Sequence, residues 1–284
     1  MSLVIQSHCK VNLLLNIMGK REDGFHELET IIQPIRLFDE LRIELVDDGI
    51  GLTCSDPRLS VGEDNLVHRA ASLFLKKIET AGVRIHLQKN LPLAAGIGAG
   101  SSNAAFTLRG LNELFDTPLN ADEMHRMAAC LGSDVPFFLQ DNPALATGRG
   151  EIVKPLEPIA VLHGTGLLLI HLGFGVSTPW AYQSLAEMPK AYGHEGQGAK
   201  MLQSLEAGEL NGFYNSLETP VFQKYTVLPV LKNFLMENGA HVALMSGSGS
   251  TMFAITENRP EAETLRVKFH EHFGQAGWSA TVAL

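Results

Sequence analysis

Cysteine is scarce in this chain of 284 residues: Cys9, Cys54 and Cys130 are the only three, far apart and without paired spacing. That pattern gives neither a disulfide framework nor a zinc site, and it fits the reducing cytoplasm. No apolar run approaches the ~18 residues of a membrane span, and the N-terminus reads as a strand rather than a signal or transit peptide. Low-complexity tracts and solenoid-period repeats are missing as well. Basic residues are outnumbered, 22 Lys and Arg against 31 Asp and Glu, which leaves a net charge of −9. A general nucleic-acid binder carries a basic surface, so that class is set aside, whereas a local basic pocket for phosphates is not. What remains is a hydrophobic content of 45%, ample for a buried core in one large or two modest domains.

The densest feature is the run Pro92-Leu93-Ala94-Ala95-Gly96-Ile97-Gly98-Ala99-Gly100-Ser101-Ser102-Asn103-Ala104-Ala105. Before it, residues 83–87 alternate apolar and polar as a half-buried strand does; after it, Ala104, Ala105, Leu108, Leu111, Leu114 and Phe115 recur at helical spacing. The order is strand, glycine loop, helix N-terminus. Gly96, Gly98 and Gly100 remove side chains, so that a ligand can reach backbone N–H groups. Ser101, Ser102 and Asn103 add hydroxyl and amide donors where the helix dipole is positive. Together these predict a phosphate cradle. It is neither of the common ones. Walker A requires Lys and then Ser or Thr after its last glycine, where Ser101 and Ser102 stand, and the dinucleotide fingerprint requires glycine at position 101. The alternative is a tight turn whose glycines serve packing alone.

Elsewhere the pattern predicts strands and helices without a regular βαβ beat. Residues 3–18 read as a strand with a polar interruption at His8, Lys10 and Asn12, and 29–37 and 39–46 as further strands. Residues 49–62 read as loop, and 65–80 as a helix with Leu66, Ala70, Leu73 and Leu75 on its apolar side. Asn120 caps a helix with Glu123 at the capping-box position, and Gly132 ends it. Residues 144–153 return as strand, including Gly148-Arg149-Gly150, and Pro155 and Pro158 mark a boundary between domains 1–155 and 156–284. A buried strand at 166–170, a loop at 173–179 and a mobile polar stretch at 188–198 follow. Then come helices at 199–207 and 228–238, strand 242–245, a second glycine loop Ser246-Gly247-Ser248-Gly249-Ser250 and strand 252–255. A helix from Pro260 to Phe273 and a strand at 278–282 close the chain. The class is α+β in two lobes, not a doubly wound sheet.

Three motifs stand in order: Lys10-Val11-Asn12 on an early strand, the loop Pro92–Ala105, and the loop Ser246–Ser250. Over nearly its whole length the chain resembles the GHMP small-molecule kinases. Asp23-Gly24-Phe25-His26, Ser133-Asp134-Val135-Pro136 and the loop ending Gly-Ser-Ser-Asn-Ala-Ala are most similar to members that act on 4-diphosphocytidyl-2-C-methyl-D-erythritol. The resemblance implies a two-lobed fold, with a ribosomal-S5-like N-terminal lobe and a ferredoxin-like C-terminal lobe. It implies ATP-dependent phosphorylation of that substrate's 2-hydroxyl, giving the 2-phosphate and ADP in the methylerythritol phosphate route to isoprenoids. It further implies ATP and Mg2+, a small-molecule partner, no nucleic acid or membrane, and a cytoplasmic monomer or weak homodimer. The rivals are a GHMP kinase of homoserine or mevalonate, which has no use for a cytosine clamp, and a GHMP-fold sensor without turnover, which has no use for Lys10 and Asp134. The chain departs from the family pattern at His8-Cys9, where Pro-Ala or similar is usual, and at Phe25, where tyrosine is frequent. Ala94 and Ala95 replace common loop glycines, which alanine does without strain if φ stays negative.

Phosphoryl transfer requires an acceptor oxygen in line and a neutralised γ-phosphate. The resemblance gives Asp134 the acceptor hydroxyl. A carboxylate of pKa about 4 is a weak base toward an alcohol, but in a loose transition state the proton leaves late and orientation matters more. A turn or cap aspartate is the alternative. Lys10 is the cation implied beside it; inward on an apolar strand it requires a partner, and the alternative is a solvent-facing lysine. Asn12 shares its face and by resemblance meets the methylerythritol hydroxyls. Residues Pro92 to Ser102 would hold ATP. Phe25, His26, Thr178 and Tyr182 would hold the substrate, the cytosine lying between Phe25 and Tyr182 with Trp180 as a possible substitute; core packing is the alternative for the rings. Mg2+ would bridge the β- and γ-phosphates within reach of Ser101 or Ser102, without an acidic metal motif. His270-Glu271-His272 reads as a solvated helix face.

Overall fold

The computed structural model describes residues 1–78, 82–275 and 277–284, so the last part of the helix expected at 65–80 lies outside the described residues. The chain forms two compact units, each assembled from separate segments: residues 1–9, 36–93 and 98–141 in the first, and 10–35, 94–97 and 142–284 in the second. Two long strands, β1 (Ser2–Lys20) and β2 (His26–Val46), contribute residues to both. The break expected between residues 37 and 39 does not occur, because Asp39 continues the strand with its side chain buried.

The first unit continues through β3 (Ile50–Cys54), α1 (Leu66–Ile78), β4 (Gly82–Gln88), α2 (Ala99–Leu114) and α3 (Ala121–Leu131). Leu41 and Ile43 of β2 lie opposite Leu87 and Ile85 of β4, all four buried, while Arg42, Arg84 and His86 face outward. This is the period-two alternation of a sheet with one covered face. β3 runs parallel beside β4, within the stretch expected to be loop. Its glycines read as turn, and only Leu52 is buried, so no alternation betrays it. The buried side of α1 is Val67, Ala70, Ala71, Phe74 and Leu75; Leu73 is exposed and Leu66 half-buried, so the apolar face is rotated from the one expected. The capping box of α3 is present: the Glu123 N–H donates to Asn120 Oδ1 (3.0 Å), and the Asn120 N–H donates to Glu123 Oε2 (3.2 Å). A short 3-10 turn, Pro136–Leu139, follows with Phe137 and Phe138 fully buried.

The second unit holds β5 (Ala144–Thr147), β6 (Ile152–Pro155), β7 (Gly166–His171), α4 (Thr178–Ala186), α5 (Gln197–Glu206) and β8 (Tyr214–Asn215). It ends with α6 (Glu218–Lys224), α7 (Val227–Glu237), β9 (Val242–Met245), β10 (Met252–Thr256), α8 (Arg259–Phe273) and β11 (Trp278–Ala283). The single strand expected at 144–153 is a hairpin. Gly148 and Gly150 take φ of 71° and 104° and reverse the chain between β5 and β6. Four antiparallel strands lie in the order β11-β7-β10-β9. β7, between β11 and β10, is buried at all six positions. Its Leu168 and Ile170 share a core with Leu228, Leu231 and Leu235 of α7 and with Ala262, Leu265 and Phe269 of α8. The helix α4 begins inside the expected loop: the Ser177 hydroxyl accepts from the Trp180 N–H, and Pro179 occupies the first turn. Among the described residues no helix is long and apolar enough to cross a membrane.

Candidate active site

Lys10 is inward, not solvent-facing. It sits on the part of β1 that belongs to the second unit, and its side chain is buried. Nζ donates to Asn12 Oδ1 (2.5 Å) and to the Gly96 carbonyl (3.2 Å). Asn12 Nδ2 donates to Thr30 Oγ1 (2.8 Å), whose own proton goes to the Leu14 carbonyl (2.6 Å). The shared face of Lys10 and Asn12 is thus a fixed chain of donors and acceptors: the amide oxygen faces the cation because its nitrogen is committed to Thr30. A buried ammonium is tolerated where polar oxygens replace its water.

Residues 94–97 lie against the second glycine loop. Ser246 Oγ donates to the Gly96 carbonyl (3.0 Å) and the Thr251 N–H donates to the Ala95 carbonyl (3.2 Å). A Cβ on Gly96, φ 79°, would stand 2.2 Å from the Ser246 carbonyl oxygen, and one on Gly247 would stand 2.8 Å from the Gly96 carbonyl oxygen and 3.4 Å from Lys10 Nζ. Both glycines therefore serve loop-to-loop packing around the lysine. Asn215 Nδ2 holds the second loop through the carbonyls of Met245 (2.7 Å) and Gly247 (2.8 Å). Thr178 joins it too, its hydroxyl 2.8 Å from that of Ser248. Ala94 overturns the expectation of negative φ: it sits at +50°, whereas Ala95 is not among the positive-φ residues.

The same unit gathers the expected aromatic residues, in a different arrangement. The His26 ring lies 5.1 Å from that of Tyr182 and 6.2 Å from that of Tyr192, tilted by 52° and 49°. Burial pushes the His26 pKa below its ordinary value, with the Lys20 charge acting the same way. Phe25 is half exposed, and the Arg149 guanidinium covers its ring at 4.4 Å. Trp180 packs edge-on to Tyr225 under the Lys224 ammonium.

The first unit carries the start of α2. Gly98 is its N-cap residue in the left-handed conformation, φ 69°, without a side-chain cap. Gly100 is exposed, and a Cβ built on it would find Leu66 Cδ1 at 3.9 Å, an ordinary contact, so the space beside this first-turn residue is open. Ser102 Oγ is buried without a hydrogen-bond partner among the described residues. Asn103, expected as a cradle donor, is committed elsewhere: its Nδ2 donates to Ser7 Oγ (2.7 Å) and Asp39 Oδ2 (3.0 Å). Asp134 is half-buried in the turn between α3 and Pro136, where the Val135 N–H donates to the Gly132 carbonyl (3.2 Å). Among the described residues no group of three or more His, Cys, Asp or Glu is placed to hold a metal ion. His270 bonds the Gly274 carbonyl and Ser279, and His272 stacks on Phe234.

Residues 65–142 match the model of the GHMP kinases N terminal domain, and residues 194–275 that of the GHMP kinases C terminal. The 4-diphosphocytidyl-2-C-methyl-D-erythritol kinase of Synechococcus sp. (strain JA-3-3Ab) is 38% identical over 288 residues, spanning 97% of this chain and 92% of that one. The chain belongs to the 4-diphosphocytidyl-2-C-methyl-D-erythritol kinases. A second relative of that name, from Methylacidiphilum infernorum (isolate V4), is 42% identical over 250 residues, 87% of this chain and 83% of its own. A crystal structure of 4-(cytidine 5'-diphospho)-2C-methyl-D-erythritol kinase superposes at TM-score 0.83 with 34% identity, covering 98% of each chain.

The fold of this chain is therefore the α+β fold of the two-lobed GHMP kinases, and ATP is its phosphoryl donor. Pattern reading missed Thr30, Asn215 and Asp39. Only Asp39 had a local signal: it keeps the inward phase of Leu41 and Ile43 on an alternating strand. Asn215 belongs to a two-residue strand with no pattern of its own.

Proposed function

We propose that this kinase transfers the γ-phosphoryl group of ATP to the 2-hydroxyl of 4-diphosphocytidyl-2-C-methyl-D-erythritol, releasing ADP and the 2-phosphate in the methylerythritol phosphate route. The observation that carries the reading is the buried Lys10, oriented by Asn12 and Gly96 in the unit that also sets His26 against Tyr182. An ammonium whose surroundings are fixed before the reaction stabilises developing phosphoryl charge without reorganisation. Asn12 would orient the methylerythritol hydroxyls, and Asp134 the acceptor hydroxyl, losing nothing by weak basicity if the proton leaves late. Residues Pro92 to Ser102 would receive ATP, the phosphates meeting the N–H groups that open α2. Phe25, His26, Thr178 and Tyr182 would receive the cytidine end.

The donor set fits Mg2+. The unpartnered Ser102 hydroxyl and Ser101 are oxygen ligands, and this ion is commonly held by few protein oxygens with water and substrate phosphates completing its shell. Ser101 or Ser102 would hold it, and it would neutralise the β- and γ-phosphate charge. The boundary near Pro155 belongs to the same proposal, the matched regions lying on either side of it, as do cytoplasmic residence and a monomer or weak homodimer.

The test is ADP release with ATP and Mg2+ and each of three acceptors: 4-diphosphocytidyl-2-C-methyl-D-erythritol, homoserine and mevalonate. Turnover with the cytidine substrate alone is expected, and its loss in Asp134→Asn with ATP binding retained. Turnover with another acceptor overturns the substrate, and near-normal turnover of the variant removes Asp134 from the chemistry.

A further inference from the structure

The backbone from 193 to 198 is tied to β1 and β2 by groups with no part in the proposed chemistry. Asn16, fully buried on β1, donates from Nδ2 to the His194 carbonyl (2.8 Å) and to Glu29 Oε2 (3.3 Å). Glu29, on β2, spreads its carboxylate over two backbone donors, accepting from the N–H of Gly196 at Oε1 and of Gly198 at Oε2, both at 3.0 Å. The Gly193 N–H donates to the Ile17 carbonyl (2.9 Å). A Cβ at Gly193 would stand 1.7 Å from Asn16 Oδ1, so only glycine allows this approach. Charge-assisted bonds to backbone N–H groups are stronger than neutral ones, and here they fix a segment whose composition reads as loop.

The residue that enters this clamp is Tyr192. Its ring lies 6.2 Å from that of His26, tilted by 49°, while the ring of Tyr182 of α4 lies 5.1 Å from it. Partial burial raises the Tyr192 phenol pKa, which keeps the hydroxyl a neutral donor across the working range. A half-buried carboxylate and a buried amide spent on one short segment, and an aromatic ring that it carries beside His26, form one device.

We propose that Tyr192 is a further aromatic residue of the face that receives the cytosine, and that Glu29 and Asn16 are positioning residues that hold it against His26. The proposal rests on the reading of His26 and Tyr182 as the base site. Stacking on an aromatic ring contributes enough per base for its loss to weaken binding about tenfold.

The experiment measures inhibition by CMP and the KM values for the cytidine substrate and for ATP. It uses wild type, Tyr182→Ala, Tyr192→Ala, Tyr192→Phe, Glu29→Gln and the Glu29→Gln/Tyr192→Ala double variant. Tyr192→Ala is expected to weaken CMP and raise the substrate KM about tenfold, with the ATP KM within about twofold, and Tyr192→Phe to restore CMP binding. Glu29→Gln is expected to weaken CMP several-fold alone and to add nothing to Tyr192→Ala, because it acts through that ring. Additive effects in the double variant, or thermal midpoints that fall while CMP inhibition stays constant, overturn the positioning role. CMP binding untouched by Tyr192→Ala but weakened by Tyr182→Ala overturns the inference alone; binding untouched by both overturns the base site beneath it. Should Tyr192→Ala not fold, Tyr192→Leu carries the same expectation, since leucine fills the volume without a π face.

Discussion

Ala94 occupies a left-handed backbone position, φ +50°, where an L side chain costs about 1–2 kcal/mol. Its methyl is accommodated because Gly175 faces it without one: a Cβ at Gly175 would lie 2.9 Å from the Ala94 methyl and 3.0 Å from its carbonyl oxygen. Glycine at 94 would relieve the strain and lose part of the gain to a freer unfolded chain. Ala94→Gly is therefore expected to stabilise the protein by about 0.5–1 kcal/mol, read as a higher urea midpoint at unchanged slope, with the ATP KM within about twofold. A lower midpoint would mean that contacts of the methyl outweigh the strain.

At the scale of elements, one buried carboxylate joins β2, the end of β4 and α2. Asp39, with no exposed surface, accepts from the N–H groups of Asn90 (2.7 Å) and Leu91 (2.9 Å) and from Asn103 Nδ2 (3.0 Å), and it pairs with the Lys89 ammonium. Removing one member of a buried pair leaves the other charge uncompensated, at about 3–5 kcal/mol. Lys89→Met is expected to lose that much in urea denaturation, and Lys89→Met/Asp39→Asn to lose less than Lys89→Met alone; a double variant as unstable as the sum of the two would separate the residues energetically. Elements with a strong internal period were legible beforehand: the alternation at 83–87, the capping box at Asn120 and the shared face of Lys10 and Asn12. The edge strand β3, with one buried side chain, and α4, behind its Ser-Thr-Pro start, had no such period. The site was legible where a residue's chemistry is local and illegible where it depends on a distant partner. Gly96 is glycine because Ser246 approaches its backbone, and Asn103 leaves the cradle because Asp39 takes its amide. No local pattern carries a contact of that sequence separation.

For the molecule as a whole, the balance of displaced pKa values sets how stability depends on pH. Burial lowers His8, His26 and His171 below 6.5. His8 is ringed by Phe106, Phe137 and Phe138, with Asp141 at 3.7 Å and the Arg109 charge acting against protonation. Below pH 6.5 the unfolded chain therefore binds more protons at these positions than the folded one, and stability rises with pH wherever that holds. Their contribution is complete above the unfolded value of about 6.5 and is lost as pH falls through it toward the lower folded values. Glu218 opposes them: burial raises its pKa against the pull of Lys232 and the Met245 N–H, so the folded state takes that proton first and gains as pH falls toward 4.5. Carboxylates lowered by their partners, such as Asp141 beside Arg109 and Asp56 beside Arg58 at about 2, lose their contribution only below the ordinary carboxylate range. Three histidines against one glutamate leave the histidines in control just below neutrality. The unfolding free energy from urea titrations is expected to decline steadily from about pH 7 to pH 5.5. His8→Gln, which cannot take up a proton there, is expected to make the decline shallower. A free energy that stays level over that interval would mean that the histidines charge in the folded state as readily as in water, and an unchanged slope in His8→Gln would take His8 out of the balance.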